Sequence, residues 1–180
     1  MNSLNTKIMI REFTKEDIPQ MIAIWNDIVE DGIAFPQLEM LNEESGFEFF
    51  DSQSFTGVAV EELPAAKDTP TTDETFPKIL GLYILHPNNI GRCGHICNAS
   101  YAVKKDLRGM HIGEQLVTHC MKKGAELEFR ILQFNAVVRT NAGARHLYEK
   151  LGFTPLGIIP GGFLMKDGHY EDIVPYYHEL

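Results

Sequence analysis

A six-residue segment near the middle of the chain has the composition of an anion-binding turn. Its residues are Arg108, Gly109, Met110, His111, Ile112 and Gly113. They follow a predicted strand and open a predicted helix, whose first turn has unpaired backbone N–H groups and the positive end of the helix dipole. Glycine lets a phosphate approach that backbone closely, and arginine adds a planar fork of donors. The segment therefore predicts a phosphate cradle, although a glycine-relieved turn before an ordinary helix has the same pattern.

A second segment, residues 141–153, reads NAGARHLYEKLGF and predicts a helix over residues 141–151 that Gly152 ends. Asn141 and Tyr148 are two helical turns apart, so an amide and a phenol share one face of this helix. Two interpretations stay open for them: groups that act on a ligand, or a helix cap and a core aromatic.

Together and in this order, the two segments resemble the GCN5-related N-acetyltransferase (GNAT) superfamily. The resemblance implies that the first segment holds the pyrophosphate of acetyl-CoA, with His111 in the place of the motif's central glycine. It also implies that the strand ending in Tyr101, Ala102 and Val103 splays away from the strand at 133–138 and admits the pantetheine arm. The later helix is then expected to contribute Asn141, Ala144 and Tyr148 to the cofactor site, with Tyr148 as the acid that protonates the departing thiolate.

A narrower resemblance covers most of the chain. Segments at 36–38, 81–88, 92–99 and 134–138 are similar to the fungal acetyltransferases that act on L-azetidine-2-carboxylate, a proline analogue. This resemblance implies that Asn98 and Asn135 line the substrate cleft. Asparagine is disfavoured within strands, so each amide needs a polar partner or a ligand. The alternative is that neighbouring backbone groups form the hydrogen bonds that each amide needs.

The bulk properties set limits on function. The chain has 180 residues and a net charge of -9, which predicts one domain over 1–180 and opposes binding to nucleic acid or to an anionic membrane. Three cysteines without a secretory signal favour a cytoplasmic protein. Cys93, His95 and Cys97 alternate along a predicted strand, which spaces the two thiols too widely for one metal ion, so we expect no metal site. The family resemblance suggests a homodimer.

The hydrophobic periodicity predicts alternating strands and helices. Strands are predicted at 8–13, 55–61, 79–85, 95–103, 131–139, 154–159 and 172–178. Helices are predicted after a capping box at 14–17 and at 42–51, 113–127 and 141–151. A polar, proline-rich loop is expected at 64–77. The fold class is therefore α+β (mixed α/β), and the resemblance makes it the GNAT fold: a mixed, mostly antiparallel twisted sheet, splayed in the middle, with helices on both faces.

The predicted function is acetyl transfer from acetyl-CoA to the amine of a small amino or imino acid, by direct attack in a ternary complex. His95 or a water molecule is a candidate for the base, and an acyl-enzyme on Cys97 is not expected. Two alternatives remain: a different acceptor, such as a polyamine, an antibiotic or a protein N-terminus, and a non-catalytic acetyl-CoA-binding module.

Overall fold

A computed structural model describes residues 7–61, 77–107 and 109–180 of the chain. Arg108 and residues 64–76 of the loop predicted at 64–77 lie outside the described residues. Within them, eight strands and four α-helices follow one another. The strands are β1 (Ile8–Glu12), β2 (Phe55–Glu61), β3 (Ile79–Pro87), β4 (Ile96–Val103), β5 (Ile131–Val138), β6 (Thr154–Pro155), β7 (Ile159–Leu164) and β8 (Tyr170–Glu179). The helices are α1 (Ile18–Asp31), α2 (Glu43–Asp51), α3 (Ile112–Glu126) and α4 (Ala142–Lys150).

The strands form one sheet in the order β1-β2-β3-β4-β5-β8-β6, and β7 pairs with β8. All pairs are antiparallel except β4 with β5. Successive residues of a strand point to opposite faces, so Val58 and Leu82 pack under α1 and α2 while Ala59 and Tyr83 pack under α3. The mixed, mostly antiparallel fold class with helices on both faces is confirmed. No helix in the described part of the chain has the length and apolarity needed to cross a membrane.

The end of the chain differs from the prediction. The strand expected at 154–159 is only two residues long, and β7, which was not predicted, forms a hairpin with β8. One proline and two glycines within Ile159–Leu164 disfavour a regular strand. The strand is irregular at these residues, because Gly161 has a positive φ of 59° and the β7–β8 register shifts around it. A bulged edge strand accommodates these residues. Ile173 and Tyr176 of β8 are buried within the chain.

The sheet opens between its two central strands. Strands β4 and β5 are paired only at Ile96 with Ile131 and at Cys97 with Leu132, and both strands then run on without further pairing to each other. The register between β5 and β8 also shifts between Phe134 and Val137. The predicted splay is therefore present, and it leaves the backbone of residues 98–103 without a strand partner on that side.

The side of the sheet under α3 contains a polar contact within an aromatic cluster. The hydroxyl of Tyr83, whose side chain is fully buried, lies 2.8 Å from Nδ1 of His119 on α3. Burial raises the pKa of Tyr83, so the phenol is the donor and a neutral imidazole the acceptor. Burial, with a smaller contribution from Lys123, lowers the pKa of His119. The fold therefore holds this histidine in its neutral form.

Stability should consequently fall in acid partly through His119. Because its pKa is lower in the folded state than its usual value near 6.5, the contribution is complete above that value and is lost as the pH falls below it. Denaturant unfolding between about pH 7.5 and 5 measures this loss. His119→Gln keeps a hydrogen-bond acceptor that does not titrate, so the variant should lose less stability than the wild type over this interval. Parallel profiles would contradict the assignment.

Candidate active site

Two connected cavities lie at the opening between β4 and β5. The larger has a volume of about 610 Å³ and the smaller about 250 Å³. Both are bounded by the same five residues, so they meet there: Ala34, Tyr101, Asn141, Ala144 and Tyr148. The opening of the sheet thus provides a larger and a smaller cavity that share one wall.

The larger cavity is bounded by the N-terminal ends of two helices. His111, Ile112 and Gly113 line it from the start of α3, and Asn141 and Ala144 line it from the start of α4. The first turn of a helix carries N–H groups without intrahelical partners and the positive end of the dipole. Both features lie at this cavity, with the Ala144 N–H of α4 already bonded to Asn141. This arrangement suits an extended anionic ligand.

Most of the residues predicted for the cofactor lie at this cavity. Those that line it are Tyr101, Val103, Gly109, His111, Ile112, Gly113, Asn141, Ala144 and Tyr148. Ala102 does not, because it points to the opposite face of β4 and is buried beneath α1. The side chain of Met110 is exposed and does not line the cavity. Arg108 cannot be placed, since it lies outside the described residues.

The turn before α3 explains why a glycine is expected at position 111. Gly109 and His111 both have left-handed backbones, with φ of 83° and 59°. Such a conformation costs a residue with a side chain about 1–2 kcal/mol, a cost that glycine avoids. The imidazole of His111 points outward, with 76% of the side chain exposed, and its Nδ1 lies 3.3 Å from Oε2 of Glu114. Its ring therefore leaves the helix start accessible.

The helix α4 brings an amide and a phenol to the shared wall. Asn141 caps the helix, because its Oδ1 accepts a hydrogen bond from the backbone N–H of Ala144 at 3.2 Å. The ring of Tyr148 packs 4.4 Å from that of Phe134, measured between centroids. Burial, and then the nearby Cys120 thiol, raises the pKa of Tyr148. The phenol is therefore protonated at neutral pH and can act as a proton donor.

Tyr101 contributes an aromatic ring to the same wall. Its ring lies beside those of Tyr148 and Phe134. Burial, and then the neighbouring Cys120 thiol on α3, raises the pKa of its hydroxyl. The phenol is therefore neutral and has a polar neighbour within the chain.

The smaller cavity contains both predicted asparagines. The amide of Asn135 pairs with that of Asn88, donating at 2.7 Å and accepting at 3.2 Å, and its oxygen also accepts from Gln133 at 2.9 Å. Two donors saturate that oxygen, which leaves one N–H of Asn135 available. The oxygen of Asn98 accepts from the backbone N–H of Ala99 at 2.7 Å, so its NH₂ group is also available. The two amides therefore offer mainly donors.

Other candidates lie away from the cavities. His95 is exposed in the turn before β4 and does not line either cavity, which makes it a poor candidate for the base. The thiol of Cys97 donates to the backbone oxygen of Ile131 at 3.3 Å, and burial raises its pKa to about 12, so it is a weak nucleophile. In the described ranges, no three His, Cys, Asp or Glu side chains are grouped as a metal site.

The sequence did not indicate three polar residues at the site. Asn88 and Gln133 hold the amide of Asn135, and Glu114 lies in the wall of the larger cavity. The pairing of Asn88 with Asn135 joins residues far apart in the chain, so no local pattern shows it. Glu114 gave no signal either, because an acidic side chain in the first turn of a helix is common and complements the helix dipole.

The chain is similar to known proteins in sequence and in fold. The sequence profile of the Acetyltransferase (GNAT) family matches residues 25–153. N-acetyltransferase aca1 of Schizosaccharomyces pombe is 31% identical over 155 residues, which is 83% of this chain and 74% of the yeast protein. A GCN5-related N-acetyltransferase from Kribbella flavida superposes with a TM-score of 0.80 at 27% identity, over 96% of this chain and 98% of its own. The yncA protein of Salmonella typhimurium, solved with acetyl-CoA, has a TM-score of 0.82 at 16% identity over 97% and 95% of the two chains.

The left-handed backbone at position 111 predicts an inverted order of stability between two substitutions. His111→Gly and His111→Ala both remove the imidazole, but only glycine adopts φ near 59° without strain. We expect the glycine variant to be more stable than the alanine variant by about 1 kcal/mol, the reverse of the order within a helix. Denaturant unfolding of both proteins tests this. An alanine variant as stable as the glycine variant would show that this turn is not left-handed.

Proposed function

This chain belongs to the GNAT acetyltransferase family, and on that premise we propose that it transfers the acetyl group of acetyl-CoA to the amine of a small amino or imino acid. The observation that carries the proposal is the meeting of two cavities at Tyr148, one suited to an extended anion and one to a small carboxylate. Acetyl-CoA supplies an activated thioester. Side chains and backbone groups at the opening of the sheet would bind the two substrates, polarise the thioester carbonyl and transfer protons.

The larger cavity fits the cofactor on two grounds. Two helix starts offer N–H groups to phosphates, and the unpaired edge of β4 offers backbone groups to an extended arm. Gly113 also suits the motif, because a methyl group there would lie at an ordinary contact distance of 3.5 Å from Leu147, so glycine or alanine fits. Backbone N–H groups at 98–103 are suited to polarising a carbonyl oxygen.

The smaller cavity supports an acceptor that carries a carboxylate. Asn98 and Asn135 present N–H donors, and no charged side chain lines the cavity within the described residues. A carboxylate accepts such hydrogen bonds, whereas the second ammonium group of a polyamine would find no anionic partner. The volume of about 250 Å³ also favours a small molecule over a peptide.

The protons move at two places in the proposed reaction. Tyr148, held protonated by burial, is the donor to the departing sulfur. The amine must lose a proton before it attacks, and the smaller cavity has no histidine or carboxylate among its described lining residues. Water is therefore the proposed carrier of that proton. Direct transfer is favoured over an acyl-enzyme, because the thiol of Cys97 is buried and its pKa is raised.

Two further assignments belong to this proposal. A cytoplasmic homodimer is expected, and its interface must use a surface other than Ile173 and Tyr176, which the chain itself buries. A non-catalytic acetyl-CoA-binding module is disfavoured, because binding alone does not require the protonated phenol of Tyr148 at the wall between the cavities.

Removing the phenolic hydroxyl should slow the reaction without releasing the cofactor. For Tyr148→Phe we expect kcat to fall by about 10²-fold or more, because a positioned acid contributes about that much, while the Kd for CoA changes less than about threefold. Steady-state kinetics and calorimetric titration measure the two quantities. An unchanged kcat would remove Tyr148 from the proton-donor role.

A panel of acceptors tests the substrate class. CoA release should be fastest with azetidine-2-carboxylate, proline analogues or small amino acids, and slow with the corresponding amines that lack a carboxylate and with polyamines. Asn135→Asp places a carboxylate beside that of the substrate, so it should raise the KM for the acceptor by about tenfold or more and leave the KM for acetyl-CoA nearly unchanged.

Asn89→Asp is the matched control for that variant, because it makes the same charge change in the exposed turn after β3 and should have no effect. Turnover with polyamines but not with amino or imino acids would overturn the proposed acceptor. CoA binding without turnover of any amine would instead favour the non-catalytic module.

A further inference from the structure

The wall of the larger cavity contains an acidic side chain at the point where phosphates are expected. Glu114 lies in the first turn of α3, immediately after the residues that form the helix start. Its two carboxylate oxygens each lie 2.8 Å from Nζ of Lys150 on α4, and Oε2 lies 3.3 Å from Nδ1 of His111. All three residues line the cavity. The carboxylate thus occupies the space between a cation and an imidazole at the mouth of an anion site.

This arrangement makes Glu114 a competitor of the ligand. The hydrogen bond from Lys150, and then that from His111, lowers the pKa of Glu114, so the carboxylate is ionised at neutral pH. A phosphate group seeks the same donors as a carboxylate does, and two anions cannot share them without repulsion. Apart from the two tyrosines, the other ionisable side chains among the described lining residues of this cavity are Asp31, which pairs with Lys105, and His146. Among these lining residues, Lys150 is therefore the cation that a phosphate gains when Glu114 releases it.

We propose that Glu114 is an internal competitor of the phosphate groups of acetyl-CoA, which holds Lys150 and His111 in the ligand-free protein and lowers cofactor affinity. This inference rests on the proposed use of the cavity by acetyl-CoA. Removing the negative charge should free the Lys150 ammonium for the ligand. Because an ion pair with exposed partners contributes little, the expected gain in affinity is modest, about two- to fivefold.

Calorimetric titration with CoA measures the gain without depending on turnover. Glu114→Gln should bind CoA about two- to fivefold more tightly than the wild type, and its affinity should fall more steeply between about 50 and 300 mM salt, since one more cation then contacts phosphate. Glu126→Gln is the matched control. It makes the same charge change at the other end of α3, where Glu126 pairs with Lys123 at 2.6 Å, and should leave CoA affinity unchanged. Circular dichroism confirms that each variant is folded.

A second substitution identifies the released cation. In the Glu114→Gln background, Lys150→Met should abolish most of the gain. Lys150→Met alone should weaken CoA binding, because it leaves the Glu114 carboxylate without its cation beside the phosphates. Equal or weaker CoA binding by Glu114→Gln, an equal gain in Glu126→Gln, or a gain that survives Lys150→Met would each overturn the inference. Failure of the wild type to bind CoA would instead overturn the proposed function itself.

Discussion

The divergence of β4 from β5 is the constraint on which the site depends. Two residue pairs join these strands, and beyond Cys97 and Leu132 the backbone groups that normally bond across a sheet face a gap. Aromatic rings fill the space beneath it: Phe134 lies against Tyr148 and Phe153, and Tyr101 meets Phe134 edge-on. This packing keeps the strands apart without a polar bridge. The cavities are therefore a direct product of the way the sheet is built.

The sequence predicted the regular elements well, and its failures have local physical causes. Periodicity located most of the strands and helices within one or two residues. Strand β7 was missed because Pro160, Gly161 and Gly162 are poor strand residues, and only the bulge within the β7–β8 hairpin accommodates them. In α1 Ile24 is buried and Ile22 is only partly buried, a choice that depends on tertiary packing.

The candidate site was predicted from motifs, and its polar connections were not. The prediction grouped Ala102 with Tyr101 and Val103, although the alternation of side chains along a strand places Ala102 on the opposite face from the other two. In contrast, the amide pair of Asn88 and Asn135 and the contact of Glu114 with Lys150 join residues that meet only in the folded chain. The left-handed backbone at His111 was detectable only as a departure from the family motif. Motifs located the helix starts, whereas folding determined which charges face them.

The wall common to both cavities has a thermodynamic consequence. Tyr101, Asn141 and Tyr148 line both the larger and the smaller cavity. A ligand that orders these side chains in one cavity therefore changes the surface that a ligand contacts in the other. The two binding free energies are then linked, and linkage is reciprocal: whatever factor the first ligand contributes to the second is returned by the second to the first. For the proposed donor and acceptor, the affinity measured at one cavity therefore depends on whether the other cavity is filled.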